Sequence, residues 1–304
     1  MSNSTTTEAA TRDASAASRS HSRAAPVTLV VERRVRASAR SPSSRAVALA
    51  TMFGVAPDGS GPLRPIEVES DAARSREREI LPRTTLEFRP GEITLVTGPS
   101  GAGKSSLLHA IRDAASLSSS SRSSRPPIVV ELEHAPGDDG AAGMKADGDV
   151  EESDRALVDL VGSTLEDATR ALARAGLADA FVMLRSPREV SEGQRHRFAL
   201  ARLYDAVESR IAETDEADSK SGDGGQEPGE APPPPLILAL ADEFGAALDR
   251  ATAEVVAMNL RRWLDSQVVA SRVCVVLATP RVELVEALEP EVVVEVGVSS
   301  CRSD

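Results

Sequence analysis

The sequence predicts an α/β fold with a mainly parallel sheet, and three observations carry that prediction. Short apolar runs alternate with longer helical patterns from about residue 86 to residue 296, as in a sheet covered by helices on both faces. Hydrophobic residues make up 41% of the chain and aromatics only 2%. The core must therefore be built from Val, Leu, Ile and Ala, which suit strands buried on both faces. A glycine-rich segment also joins one strand-like run directly to a helical one, where the backbone has to turn sharply.

From the N-terminus, residues 1–26 are rich in Ser, Ala and Arg and lack the apolar run of a secretory signal. They read as a disordered tail, and Glu8 and Asp13 run against a transit peptide. One domain is expected from residue 27 to residue 301, with flexible insertions at about 116–127, 135–154 and 212–235. The first is a serine run, the second rich in Gly and Asp, the third acidic with Pro232 to Pro235 at its end. None holds enough apolar surface to offset the entropy of ordering it.

Within the domain, residues 27–31 read as a strand and residues 46–55 as a short helix or strand holding Met52 and Phe53. Residues 57–78 read as loop with one edge strand at 66–68. Apolar runs at 86–88 and 93–97 flank Pro90-Gly91, a turn dipeptide. Helical character follows at 105–114, and Ser163 with Glu166 forms a capping box for a helix that stops at Gly176. A further helix is expected at 194–211 and an amphipathic one at 252–264. Strands are expected at 128–132, 236–241, 273–278 and 292–296.

The formal net charge of −12 disfavours nucleic acid as the main ligand, because phosphate backbones attract basic faces. Cys274 and Cys301 cannot make a disulfide framework and show no metal spacing. Cys274 reads as a buried thiol in an apolar run, and a reducing, cytoplasmic setting is the expectation. No apolar stretch approaches the roughly 20 residues that span a bilayer.

The segment Gly98-Pro99-Ser100-Gly101-Ala102-Gly103-Lys104-Ser105 fits G-x-x-x-x-G-K-[ST] at every fixed position, and Ser106 continues it into the helix. Glycines let successive N–H groups turn inward onto a phosphate, and the helix adds its positive N-terminal end. Lys104 supplies a cation for the β- and γ-phosphates, and the Ser105 hydroxyl suits Mg²⁺. A second cluster, Asp242-Glu243, ends the buried run at 236–241, on the strand edge where ligands bind in open α/β sheets. Asp242 suits the metal and Glu243 a general base. Downstream, Asp249 can cap the helix that follows Ala246.

Between these clusters lies Val190-Ser191-Glu192-Gly193-Gln194-Arg195, followed by Arg197. It resembles the LSGGQ-x-R signature of ABC ATPases, and residues 246–249 resemble their D-loop. The resemblance covers roughly residues 85–298 and is strongest to soluble ABC-type ATPases. Some of these carry a predicted acetyltransferase domain, for which no residues remain here. It implies a P-loop NTPase of ABC type, with an N-terminal antiparallel β portion and a helical signature subdomain. It also implies ATP and Mg²⁺ as cofactors and hydrolysis in a head-to-tail homodimer that drives or regulates a protein partner. Lys104 and Glu243 would then be catalytic, with Ser105 and Asp242 at the metal. Ser191, Gly193 and Gln194 would face the γ-phosphate held by a second copy's Lys104.

Two departures stand out. No Gln occurs between Ser105 and Gly193, so Glu131, Glu133 or His134 stands where the family has its Q-loop residue. The family's switch histidine is also missing, leaving Thr279 or Arg281 as its substitute. Both leave nucleotide binding intact and point to slow turnover. They weigh against the alternative of a nucleotide-binding subunit for a membrane partner, and favour a further one, a non-hydrolysing ATP-sensing scaffold. Phe53 is a candidate to stack on adenine, although a core position is the simpler reading. His109 and His196 read as ordinary helix residues.

Overall fold

The computed structural model describes residues 23–36, 43–54, 77–118, 125–132, 154–221 and 233–296. An antiparallel pair, β1 (Val27–Arg36) and β2 (Glu77–Phe88), precedes a five-stranded sheet. Its strands are β3 (Ile93–Thr97), β4 (Ile128–Glu131), β5 (Ile237–Ala241), β6 (Val273–Ala278) and β7 (Val292–Glu295). They lie in the order β4-β5-β6-β3-β7, with every pairing parallel. Helix α1 (Ser44–Phe53) joins the antiparallel strands, and α2 (Lys104–Leu117) follows β3. Between β4 and β5 come α3 (Leu165–Arg174), α4 (Ala180–Met183) and α5 (Glu192–Ser221). Then α6 (Arg250–Leu264) and α7 (Gln267–Ala270) precede β6, and α8 (Val285–Leu288) precedes β7.

Strand alternation divides the core between the two sheet faces. Ile237, Ala239, Val273, Val275 and Leu277 pack with Leu172, Leu200, Leu203 and Leu260 from α3, α5 and α6. Their neighbours Leu238, Leu240, Cys274 and Val276 pack instead with Leu107, Leu108 and Ile111 of α2 and with Leu29 and Phe88. Every residue of β5 and β6 is buried, which is why both read as unbroken aliphatic runs rather than alternating ones. Burial pushes the Cys274 thiol up to about 12, so it acts as a small hydrophobe.

Local chemistry explains most helix ends and corrects one. Thr164, not Ser163, caps α3: its hydroxyl oxygen accepts from Asp167 N at 3.2 Å. Gly162, at φ +76, turns the chain so that the Ser163 hydroxyl donates sideways to the Asp167 carboxylate at 3.1 Å. Glu166 pairs forward with Arg170 at 2.6 Å instead of closing a capping box. Gly176 ends the helix as expected, at φ +83 with Leu177 N donating to Leu172 O at 2.8 Å. Asp249 caps α6 by accepting from Thr252 N at 3.0 Å.

Two further expectations change. Phe53 lies 73% exposed at the end of α1, so it is not a core residue. Helix α5 runs to Ser221, ten residues beyond the expected end at Ile211 and into the segment expected to be flexible. The cause lies elsewhere in the chain. Arg272, 5% exposed at the start of β6, donates to Asp215 Oδ1 at 2.7 Å and Thr214 Oγ1 at 2.6 Å. Arg125 pairs with Asp218 at 2.6 Å one turn further on. The remainder of the expected insertions at 119–124, 135–153 and 222–232, the strand at 66–68 and Cys301 lie outside the described residues.

If the Arg272 fork holds the end of α5, Arg272→Met should speed amide exchange in residues 212–221 and leave residues 192–211 protected. Uniform protection along α5 in the variant would show that the helix needs no such anchor.

Candidate functional site

Because the five strands are parallel, their C-terminal ends share one edge of the sheet. That edge carries residues 98–106 after β3, Asp242-Glu243 after β5, Thr279-Pro280-Arg281 after β6, and Glu131 at the end of β4. Only β6 separates β3 from β5, so the first two clusters arise about 10 Å apart, two strand spacings.

The glycine-rich loop is shaped by its backbone. Gly98, Gly101 and Gly103 all take positive φ, at +143, +77 and +102, which side chains rarely tolerate. Gly98 has a second constraint, because an added Cβ would run into the carbonyl oxygen of Val296 beside it. Lys104 opens α2 and folds back over the loop, its Nζ donating to Gly98 O at 2.8 Å and Pro99 O at 2.9 Å. Ser105 is exposed in the first turn of α2, with Ser106 half-buried after it. The loop thus forms a concave run of backbone with a lysine across its mouth, suited to a phosphate chain.

Asp242 is half-buried and Glu243 exposed, and Glu243 N donates to Asp242 Oδ1 at 2.9 Å. Glu243 takes φ +51, one of two such non-glycine residues among those described. This left-handed conformation is disfavoured by about 1 kcal/mol or more. The loop that follows is held at successive residues. Phe244 N donates to Ala278 O at 2.9 Å and Phe244 O accepts from Thr279 Oγ1 at 2.9 Å. Ala246 N closes the turn onto Glu243 O at 2.9 Å.

The signature segment meets this same loop. Ser191 N donates to Gln194 Oε1 at 2.9 Å while Gln194 N donates to Ser191 Oγ at 3.3 Å, a reciprocal cap that opens α5. Gly193 sits against Ala247 O and Leu248, leaving only 3.3 Å for an added Cβ. Arg197 reaches from α5 to Gly193 O at 3.3 Å and Gly176 O at 2.7 Å. Burial lowers its guanidinium from the ordinary value, against the opposing charge of Asp249. Among the described residues no hydrogen bond joins residues 191–194 to the glycine-rich loop of the same chain.

Two sequence expectations are revised, and Glu131 stands at the strand end where it was expected. Thr279 and Arg281 do not extend freely toward a phosphate. The Thr279 hydroxyl is spent on Phe244 and Arg281 N, and the Arg281 guanidinium donates to the carbonyls of Leu248 and Ala246. Glu131 is exposed and pairs with Arg112 of α2 at 3.5 Å, while Glu133 and His134 lie outside the described residues. His196 is no ordinary helix residue: it is 4% exposed, and its Nε2 accepts from Gly245 N at 3.1 Å. Its sequence position held a signal, because residues 196, 200, 203 and 207 form one stripe at helical spacing and all are buried.

Among the described residues no three His, Cys, Asp or Glu side chains converge on a metal position. An exposed hydroxyl at Ser105 and a carboxylate at Asp242 are nonetheless oxygen donors of the kind Mg²⁺ takes when phosphate oxygens and water complete its shell. No helix among the described residues is long and apolar enough to cross a membrane.

A sequence model of the family described as ABC transporter matches residues 81–219. The zinc import ATP-binding protein ZnuC of Roseobacter denitrificans is 44% identical over 46 residues, 15% of this chain and 18% of that protein. The matched stretch therefore spans under a fifth of that relative. The dimeric ATP-binding cassette MJ0796, in a post-hydrolysis state with ADP and Pi, aligns over 90% of this chain and 97% of its own. That alignment has a TM-score of 0.49 at 14% identity. A bacterial Atm1-family ABC exporter with ATP bound aligns over 73% of this chain and 35% of its own, at a TM-score of 0.42 and 16% identity.

Gly98→Ala should cost about 2 kcal/mol or more of stability, combining a disfavoured φ with a backbone clash, and should weaken nucleotide binding. Urea titration and binding of a fluorescent ATP analogue test both. A variant with wild-type stability would show that the loop is not locked against β7.

Proposed function

We propose that this chain, an ABC-type ATPase with its family match across residues 81–219, binds Mg·ATP at the C-terminal edge of its sheet and hydrolyses it when a second copy closes the site. The observation that carries the reading is Lys104 folded over the glycine-rich loop, on an edge shared with Asp242 and Glu243. Its ammonium makes two bonds to loop carbonyls that can be exchanged for bonds to phosphate oxygens. The loop N–H groups and the first turn of α2 hold the same anion. Ser105 and Asp242 are the residues that would hold Mg²⁺, which supplies charge neutralisation for the β- and γ-phosphates.

Glu243 takes the proton from the attacking water, and its exposure allows water to reach it from the open side of the site. Ser191, Gly193 and Gln194 supply a hydroxyl, backbone N–H groups and a helix N-terminus, which together suit a γ-phosphate. Within one chain Gly193 packs on the loop after β5 while Ser191 stays exposed, and we take the target of the segment to be the nucleotide of a second copy. The result is a two-fold dimer with two composite sites. Arg281 bound to loop carbonyls and Glu131 paired with Arg112 leave no evident replacement for the switch and Q-loop residues among those described, and turnover is accordingly slow. We place the protein in the cytoplasm, acting on a protein partner.

A second reading is the nucleotide-binding subunit of a membrane transporter. It draws on Phe181 of α4 and Leu184 at its C-cap, 80% and 70% exposed, an apolar pair of the kind interfaces bury. Co-sedimentation with membranes after cell fractionation supports it, and recovery in the soluble fraction opposes it.

Lys104→Ala should abolish binding of a fluorescent ATP analogue, and unchanged affinity would remove the nucleotide site from this loop. Light scattering should find Glu243→Gln as a dimer at saturating Mg·ATP, since the amide keeps its size but cannot take the proton. Ser191→Arg should remain a monomer. A monomeric Glu243→Gln protein would falsify the two-copy mechanism and leave only a nucleotide-binding one.

A further inference from the structure

His196 is buried at the foot of α5 and faces the loop that leaves Glu243. Its Nε2 accepts from Gly245 N at 3.1 Å, and its ring meets Phe244 edge-on, with centroids 6.5 Å apart at 62°. An imidazole that accepts at Nε2 carries its proton on Nδ1. Gly245 takes φ +71, and a Cβ there would press on Leu284 at 3.2 Å. The loop therefore approaches the histidine with bare backbone and has little freedom to shift alone. Gly245 lies two residues after Glu243, and Ala246 N bonds back to Glu243 O. One turn of α5 separates His196 from the Ser191 cap.

We propose that His196 is a positioning residue that transmits the seating of the signature end of α5 to Glu243 in the same chain. The inference rests on the two-copy reading above and deepens it. When residues 191–194 seat on a nucleotide held by the second copy, the rigid first turns of α5 move with them. The His196–Gly245 bond passes that movement to the turn that fixes the backbone of Glu243. Each copy's base is thereby set by the occupancy of the other copy's site, and hydrolysis is coupled between the two.

Three variants and two readouts test this on the full-length protein. His196→Phe keeps a ring against Phe244 but offers no acceptor to Gly245 N. His196→Met is a second variant without a comparable acceptor, should the first fold poorly by thermal melt. His196→Gln restores an acceptor without the ring. Loss of the bond should lower kcat about tenfold, equivalent to about 1.4 kcal/mol, in the Phe and Met variants, with affinity for the fluorescent ATP analogue unchanged. Gln should recover most of the rate. Amide exchange across residues 243–248 should quicken in Phe and Met and slow again in Gln. Equal losses of kcat in Phe, Met and Gln would overturn the proposal, because packing alone would then explain them. Unchanged exchange at 243–248 in a folded Phe or Met variant overturns the link whether or not the chain hydrolyses ATP. Absence of turnover in the wild type counts separately, against the ATPase reading.

Discussion

Glu243 stands in a backbone conformation that a glutamate reaches only under restraint, at φ +51. The restraint is the loop from Phe244 to Leu248, and the arrangement of the candidate site depends on it. Its N–H and carbonyl groups are gripped from the end of β6 by Ala278, Thr279 and Arg281 and from α5 by His196. A buried backbone polar group left unpaired costs about 1–3 kcal/mol, so the loop cannot readily leave these partners. Two distant parts of the sequence, helix α5 and the end of β6, are thereby joined through a few residues beside Glu243.

The same grip engages Arg281. An arginine at position 281 could stabilise charge on a phosphate, but here its Nη2 alone donates to the carbonyls of Leu248 and Ala246. The residue that reads as a catalytic substitute holds the loop in place. This arrangement favours a fixed loop geometry.

What the sequence disclosed and what it hid divide along a physical line. Chemistry written in contiguous residues was legible: the strand, glycine loop and helix around Lys104, the aliphatic run that ends at Asp242, and the cap at Asp249. Each of these is dictated by neighbours within a few positions, such as the Asp249 carboxylate accepting from Thr252 N. The contacts that sequence missed join residues far apart in the chain. Composition marked residues 212–221 as unable to fold alone, yet Arg272 anchors them from 57 positions away. His196 looked ordinary because its partner, Gly245 N, is 49 residues distant. Ser163 against Thr164 as the cap of α3 was a different kind of miss, turning on the conformation imposed by Gly162. The four-residue helices α4, α7 and α8 are too short for any periodicity to reveal.

The central claim, that a second copy completes each nucleotide site, is tested most directly by mixing two defective proteins. Lys104→Ala keeps its signature end but lacks the phosphate lysine, and Ser191→Arg has the reverse defect. Both are combined with Glu243→Gln, and ATP retained through gel filtration is measured. Neither protein alone should retain nucleotide. Their mixture should, because one of the two sites in a mixed dimer pairs an intact Lys104 with an intact Ser191. If the mixture retains no more ATP than the separate proteins, closure does not come from a second copy and the account fails.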